Sequence, residues 1–166
     1  MNRFVILGVV SFFTFGTFFC FDLPAALESD MKQTMNVSDT DYNLLYSADS
    51  WVNCIAVLIG GVLIDRFPFR VTAIVYLGLC LAGQAIFALG GSLHSIPVML
   101  VGRAVFGAGG GNSSTVQSAV ISVYFKGRQL ALAFGIALTL GRFASAANFF
   151  VSPLLAQATD WEFVLW

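Results

Sequence analysis

Five apolar stretches, each of roughly 20 residues or more, leave this chain very little choice of architecture. They run from Phe4 to Leu27, Tyr42 to Ile64, Val71 to Leu93, Val98 to Phe125 and Leu130 to Ala158. In hydrocarbon every backbone N–H and C=O must find a partner inside the protein. Continuous apolar runs achieve this as helices, whereas barrel strands would alternate in polarity over about ten residues. The last six residues, Trp161 to Trp166, read as the opening of a sixth span cut short, so the chain is expected to be incomplete. The predicted fold is therefore an all-α membrane bundle of five complete transmembrane helices and the start of a sixth. Composition agrees: of 166 residues 58% are hydrophobic and only 10% charged, and the mean hydropathy of +0.84 lies outside the soluble range.

Charge placement sets an orientation. Arg3, Arg66, Arg70, Lys126 and Arg128 fall on one side of the five spans and Lys32 on the other, which predicts a cytosolic amino terminus. The segment from Glu28 to Asp41 is then the longest loop on the far side, and its Asn36-Val37-Ser38 sequon makes Asn36 a glycosylation candidate. A second match, Asn112-Ser113-Ser114, lies inside a span and is out of reach of that machinery. A cleavable signal peptide is the rival reading of the first segment. Its apolar run from Phe4 to Phe21 is longer than the usual ~7–15 residues, which favours a retained span. A net charge of −1 without a basic face gives no footprint for nucleic acid. Cys20, Cys54, Cys80 and the lone His94 have no metal-ligand spacing, so neither a metal nor a cofactor is expected.

Polar residues inside spans carry the remaining information, because each is costly in lipid and faces a partner or a cavity. Arg142 is the deepest cation, near the middle of its span, with Gly141, Ser145 and Asn148 nearby. It suits the carboxylate or another anionic group of a solute, and the alternative is a salt bridge to Asp22 or Asp49. Gln117, Asn112, Asp49 and Asn53 are further candidates for a solute cavity. Asp22 precedes Pro24 near the outer end of the first span, at a gate or at a simple helix end. Around the turn after the second span stand Gly61, Asp65, Arg66 and Arg70. Gly61 is expected to allow close helix approach, and Asp65 to meet a cation or a helix N-terminus. The fourth span holds Arg103, followed by Gly107, Gly109 and Gly111, with Gly107 and Gly111 four apart on one face.

Gly61-xxx-Asp65-Arg66 resembles the signature loop of the major facilitator superfamily, and Arg103-xxx-Gly107-x-Gly109 resembles its fourth-helix motif. The strings Phe19 to Leu27, Phe87 to Gly91, Phe125-Lys126-Gly127 and Phe134-Gly135 look like the lysosomal dipeptide transporters of that superfamily. The resemblance implies two six-helix halves working by alternating access, of which this is the amino-terminal one. It further implies cofactor-free export of dipeptides from lysosome to cytosol, a glycosylated lysosomal membrane protein as accessory partner, and Arg142 as the holder of the dipeptide carboxylate. Placement in the plasma membrane is the alternative.

Two function classes follow. One is a transporter half that works with its missing carboxy-terminal half, its partners being membrane lipid and a small solute. The other is a truncated, non-transporting membrane protein that docks onto a full-length transporter or its accessory subunit. No nucleophile-base pair, metal cluster or carboxylate pair argues for an enzyme.

Overall fold

The computed structural model describes residues 3–166, which form an all-helical bundle. The long helices are α1 (Arg3–Ala26), α3 (Asp39–Arg66), α4 (Phe69–Ser92), α5 (Ile96–Tyr124) and α6 (Arg128–Ala158). Between them and after them stand two short ones, α2 (Glu28–Met35) and α7 (Trp161–Val164). Four helices, α1, α3, α4 and α6, are long and apolar enough to cross a membrane. At 29 residues α5 is long enough, but it is too polar to join them. Its polar residues face protein instead: Arg103, Asn112, Ser113 and Gln117 are all buried.

Helix α5 is the axis of the bundle, and glycine is what lets its neighbours close on it. A Cβ on Gly102 would stand 2.5 Å from the backbone nitrogen of Phe87 in α4, and one on Gly83 of α4 would stand 2.4 Å from that of Phe106. Gly109 faces α4 as well, with the Tyr76 carbonyl 2.6 Å from where its Cβ would be. On the other flank Gly107 abuts the Asp49 carbonyl of α3 at 2.4 Å, and Gly111 abuts Asn53. Two glycine faces, one toward each neighbour, replace side-chain packing with backbone contact.

The far end of the bundle differs from the irregular loop expected between Glu28 and Asp41. Helix α2 occupies most of it, folding back so that Met31 packs with Leu23, Leu27, Tyr42 and Leu45. Asn36 ends α2 in the left-handed region (φ 51°), and Ser38 caps α3 by accepting from the Asp41 amide at 3.2 Å. Lys32 bridges Glu28 and Asp39, whose oxygens lie 2.5 and 2.8 Å from its ammonium; its bonds to Asp39 and then Glu28 raise its pKa. At the same end, α7 seats Trp161 and Leu165 against α4 near Gly91, and Gln84 donates to the Leu165 carbonyl at 3.0 Å. His94 is half-exposed and lies 3.4 Å from Glu162. The opposite end gathers Arg3 beside Gln129 (2.6 Å) and the rings of Phe4 and Phe125. Arg3 and the α5–α6 turn with its Lys126 and Arg128 thus share one end.

Apolar side chains cover the outside. Phe12, Trp51, Leu58, Ile74 and Phe150 are each more than 70% exposed, as suits lipid or further helices rather than water.

Adding one methyl at a backbone-contact glycine should push α4 and α5 apart. Gly83→Ala or Gly102→Ala is expected to cost about 1–3 kcal/mol by overpacking. Gly78→Ala, with nothing near its Cβ position, is expected to be tolerated. Thermal unfolding of the detergent-solubilised protein reads the difference.

Candidate functional site

Pro24 lies in the last turn of α1, just before its end, and the polar centre gathers around it. Lacking an N–H, it leaves the carbonyl of Cys20, four residues earlier, without its helical partner. Arg103 of α5 reaches across and donates Nη1 to that carbonyl (3.4 Å) and Nη2 to the carbonyl of Phe21 (2.7 Å). From α6, Asn148 donates to the preceding carbonyl, that of Phe19, and accepts from the Ser152 hydroxyl. From α3, the Tyr42 hydroxyl donates to the Pro24 carbonyl at 3.0 Å. Three helices thus hold the end of α1, and one of their bonds replaces the one that proline removes at Cys20.

The Arg103 guanidinium has no exposed surface and no ion pair among the described residues. Its charge sits among four rings, with its central carbon 5.3 Å from the centroids of Phe87 and Phe106, 5.5 Å from Tyr46 and 5.7 Å from Phe21. Aromatic faces and carbonyl dipoles together compensate for its desolvation.

Beside this cage a cavity of about 190 Å³ opens between α1, α3 and α5. Thr17, Phe18, Phe21, Asp49, Asn53 and Phe106 line it. Phe21 and Phe106 are shared with the cage, so the cavity wall and the arginine seat are one structure. Asp49 and Asn53 are four apart and occupy one face of α3. Gly107 and Gly111, opposite them on α5, keep the space clear: a Cβ on Gly111 would stand 1.9 Å from the Asn53 oxygen.

The remaining sequence candidates lie elsewhere. Asn112 does not line the cavity; its amide donates to the carbonyls of Ala56 (3.1 Å) and Ala108 (2.9 Å) in the α3–α5 contact. Gln117 donates to the Thr14 hydroxyl at 2.7 Å, joining α5 to α1 below the cavity lining. Arg142, expected to be buried, stands on the exposed face of α6 near the middle of that 31-residue helix. Depth along the helix and direction around it are independent, and it is neighbouring Gly141 that turns inward, against the ring of Phe18. Neither alternative partner reaches Arg142: among the described residues no ion pair joins it to Asp22 or Asp49. Asp22 is half-buried beside the Pro24 region. Close approach of α3 to α5 falls on Gly60, packed on Asn112, whereas nothing lies within 4 Å of a Cβ placed on Gly61. Asp65, Arg66 and Arg70 are exposed at the α3–α4 turn. Thr17, Phe18, Phe106 and Asn148 were not among the sequence candidates; only the polarity of Asn148 in a span signalled it.

The profile of the major facilitator superfamily matches residues 5–166, nearly the whole chain. The chain belongs to the major facilitator superfamily. Its curated relatives within the superfamily include proteins named "Lysosomal dipeptide transporter MFSD1". The one from Mus musculus is 40% identical over 148 residues, and the one from Homo sapiens 39% over 148. The one from Danio rerio is 38% identical over 149 residues. Each alignment covers 89% of this chain and 32% of the relative, so the chain spans about a third of the length of these major facilitator proteins.

Removing the clamp should loosen α1. Arg103→Ala is expected to destabilise the bundle by about 2–4 kcal/mol through two lost charge-assisted hydrogen bonds. Arg66→Ala, at an exposed position, should stay within about 0.5 kcal/mol. Chemical or thermal denaturation in detergent distinguishes the two.

Proposed function

We propose that this chain forms the amino-terminal half of a lysosomal carrier that exports dipeptides to the cytosol by alternating access, with Arg142 binding the solute carboxylate. The observation that carries the reading is the position of Arg142. A guanidinium near the middle of a membrane helix, exposed and without an ion pair among the described residues, is too costly to face lipid. It belongs on a water-filled cavity or against further protein, and carriers of this architecture place the solute between their halves near the bilayer midplane. A carboxylate is the natural bidentate partner of such a group. The relatives' own description as lysosomal dipeptide transporters supports dipeptides as the solute class and the lysosome as the organelle. Exposed Asp65, Arg66 and Arg70 at the end shared with Arg3 suit the cytosolic face of the rocking interface, and this supports the reading in which the amino terminus is cytosolic and Asn36 lumenal.

In the full-length carrier, Arg142→Ala is expected to reduce dipeptide uptake at least tenfold, as loss of a charged hydrogen-bond partner implies, with membrane insertion retained. Uptake at the wild-type rate refutes the assignment. Absence of uptake by the wild-type carrier, with surface display confirmed, refutes the transport reading and favours an interaction role. For the topology, glycosidase treatment should sharpen the wild-type band and leave Asn36→Gln unchanged; the same mobility with and without enzyme in wild type counts against a lumenal Asn36.

A further inference from the structure

The cavity between α1, α3 and α5 carries an unbalanced set of polar atoms. Asp49 is 2% exposed, and among the described residues its Oδ1 has no hydrogen-bond partner. The same holds for Asn53 Oδ1, whereas the hydroxyl of Thr17, which is 9% exposed, lies within hydrogen-bond reach of the Cys80 thiol and has a further lone pair free for the cavity. All three residues line the one cavity. Buried polar atoms in folded proteins are normally paired, and an unpaired carboxylate is among the most expensive to leave. The Arg103 charge acts on Asp49 through space, but it does not hydrogen-bond the carboxylate, and its own Nε is left unpaired among the described residues. It donates to the carbonyls of Cys20 and Phe21, and among the described residues no ion pair reaches Asp49.

What would complete the set is a cationic donor. We propose that Asp49, with Asn53 and Thr17, forms a site for a primary ammonium group of the transported solute. Three features select an ammonium. The unpaired atoms are oxygens, which accept from its three N–H groups. The walls of Phe18, Phe21 and Phe106 offer aromatic faces to a cation and apolar surface to the carbon chain behind it. The volume of about 190 Å³ has room for a small organic group beyond a bare ion. The spacing is built for it: Asp49 and Asn53 share one face of α3, and Gly107 and Gly111 remove the side chains that would otherwise fill the space. The inference rests on the carrier reading above and deepens it, because it assigns the end of the solute opposite the carboxylate.

The test is thermal stabilisation of the purified full-length carrier at neutral pH by four probes: alanylalanine, N-acetyl-alanylalanine, butylamine and sodium chloride. Alanylalanine and butylamine should stabilise the wild type, N-acetylation should weaken binding about 10- to 100-fold, and Asp49→Asn should weaken both amines by a similar factor. Stabilisation by butylamine but not by alanylalanine upholds the ammonium site and refutes the dipeptide solute. Equal binding of the free and acetylated dipeptides, or an unchanged amine response in Asp49→Asn, overturns the ammonium site while leaving the dipeptide reading intact. No response to any amine overturns it as well. Stabilisation by sodium that disappears in Asp49→Asn assigns the oxygens to a metal ion and overturns it too. The wild-type comparison of free and acetylated dipeptide decides the matter even if Asp49→Asn fails to fold.

Discussion

A proline inside a membrane helix breaks the rule that every backbone group must be bonded within the hydrocarbon, and the centre of this bundle is organised around repairing that break. Pro24 frees the Cys20 carbonyl, and the stretch from Phe19 to Pro24 is then held by Asn148, Arg103 and Tyr42, one side chain each from α6, α5 and α3. The repair explains why a guanidinium with no exposed surface is stable without a carboxylate. Two backbone carbonyls of α1 accept from its Nη1 and Nη2, and four rings surround its charge. The same contacts fix α1 against α5, and hence where the cavity lies.

Helix α5 can serve as the axis only because it gives up apolar surface. Gly102 and Gly109 meet α4, Gly107 and Gly111 meet α3, and the polar side chains between them bond to carbonyls and hydroxyls of neighbouring helices. Between apolar helices in lipid there is no hydrophobic gain from association, so close backbone packing and interhelical hydrogen bonds must hold the bundle. The polarity that leaves α5, expected to be one of five apolar spans, less apolar than the other four long helices is therefore what lets them assemble around it.

The division between what could be read in advance and what could not follows the same physics. Span lengths are legible because the thickness of hydrocarbon is fixed, and each expected span falls within three residues of a helix. Rotational phase is less legible. Gly60 and Gly61 differ by one position yet only Gly60 meets α5, and Gly141 turns inward while Arg142 turns out. The partners of Arg103 are carbonyls, which leave no mark in a sequence of side chains; Pro24 was the mark, and it reads equally well as a helix end. Asn112 and Gln117 show the converse. A polar residue in a span signals that something is bonded, and here it is a neighbouring helix rather than open cavity.

Asp49 and Arg142 are opposite in charge and opposite in setting, one enclosed and the other on an open face of the bundle. Had the two been paired, their charges would cancel within this half, and a solute would have to break the pair to bind either group. Left apart, each has unsatisfied bonding capacity, which under the carrier reading the two ends of a zwitterionic solute would complement. Under the carrier reading, the enclosed acid gives the ammonium end a fixed seat, while the carboxylate end meets an arginine that needs water or further protein around it. Closure of a second half over Arg142 would then remove water from that end alone, so the gain in binding on closure depends on the solute carrying an anionic group as well as an amine.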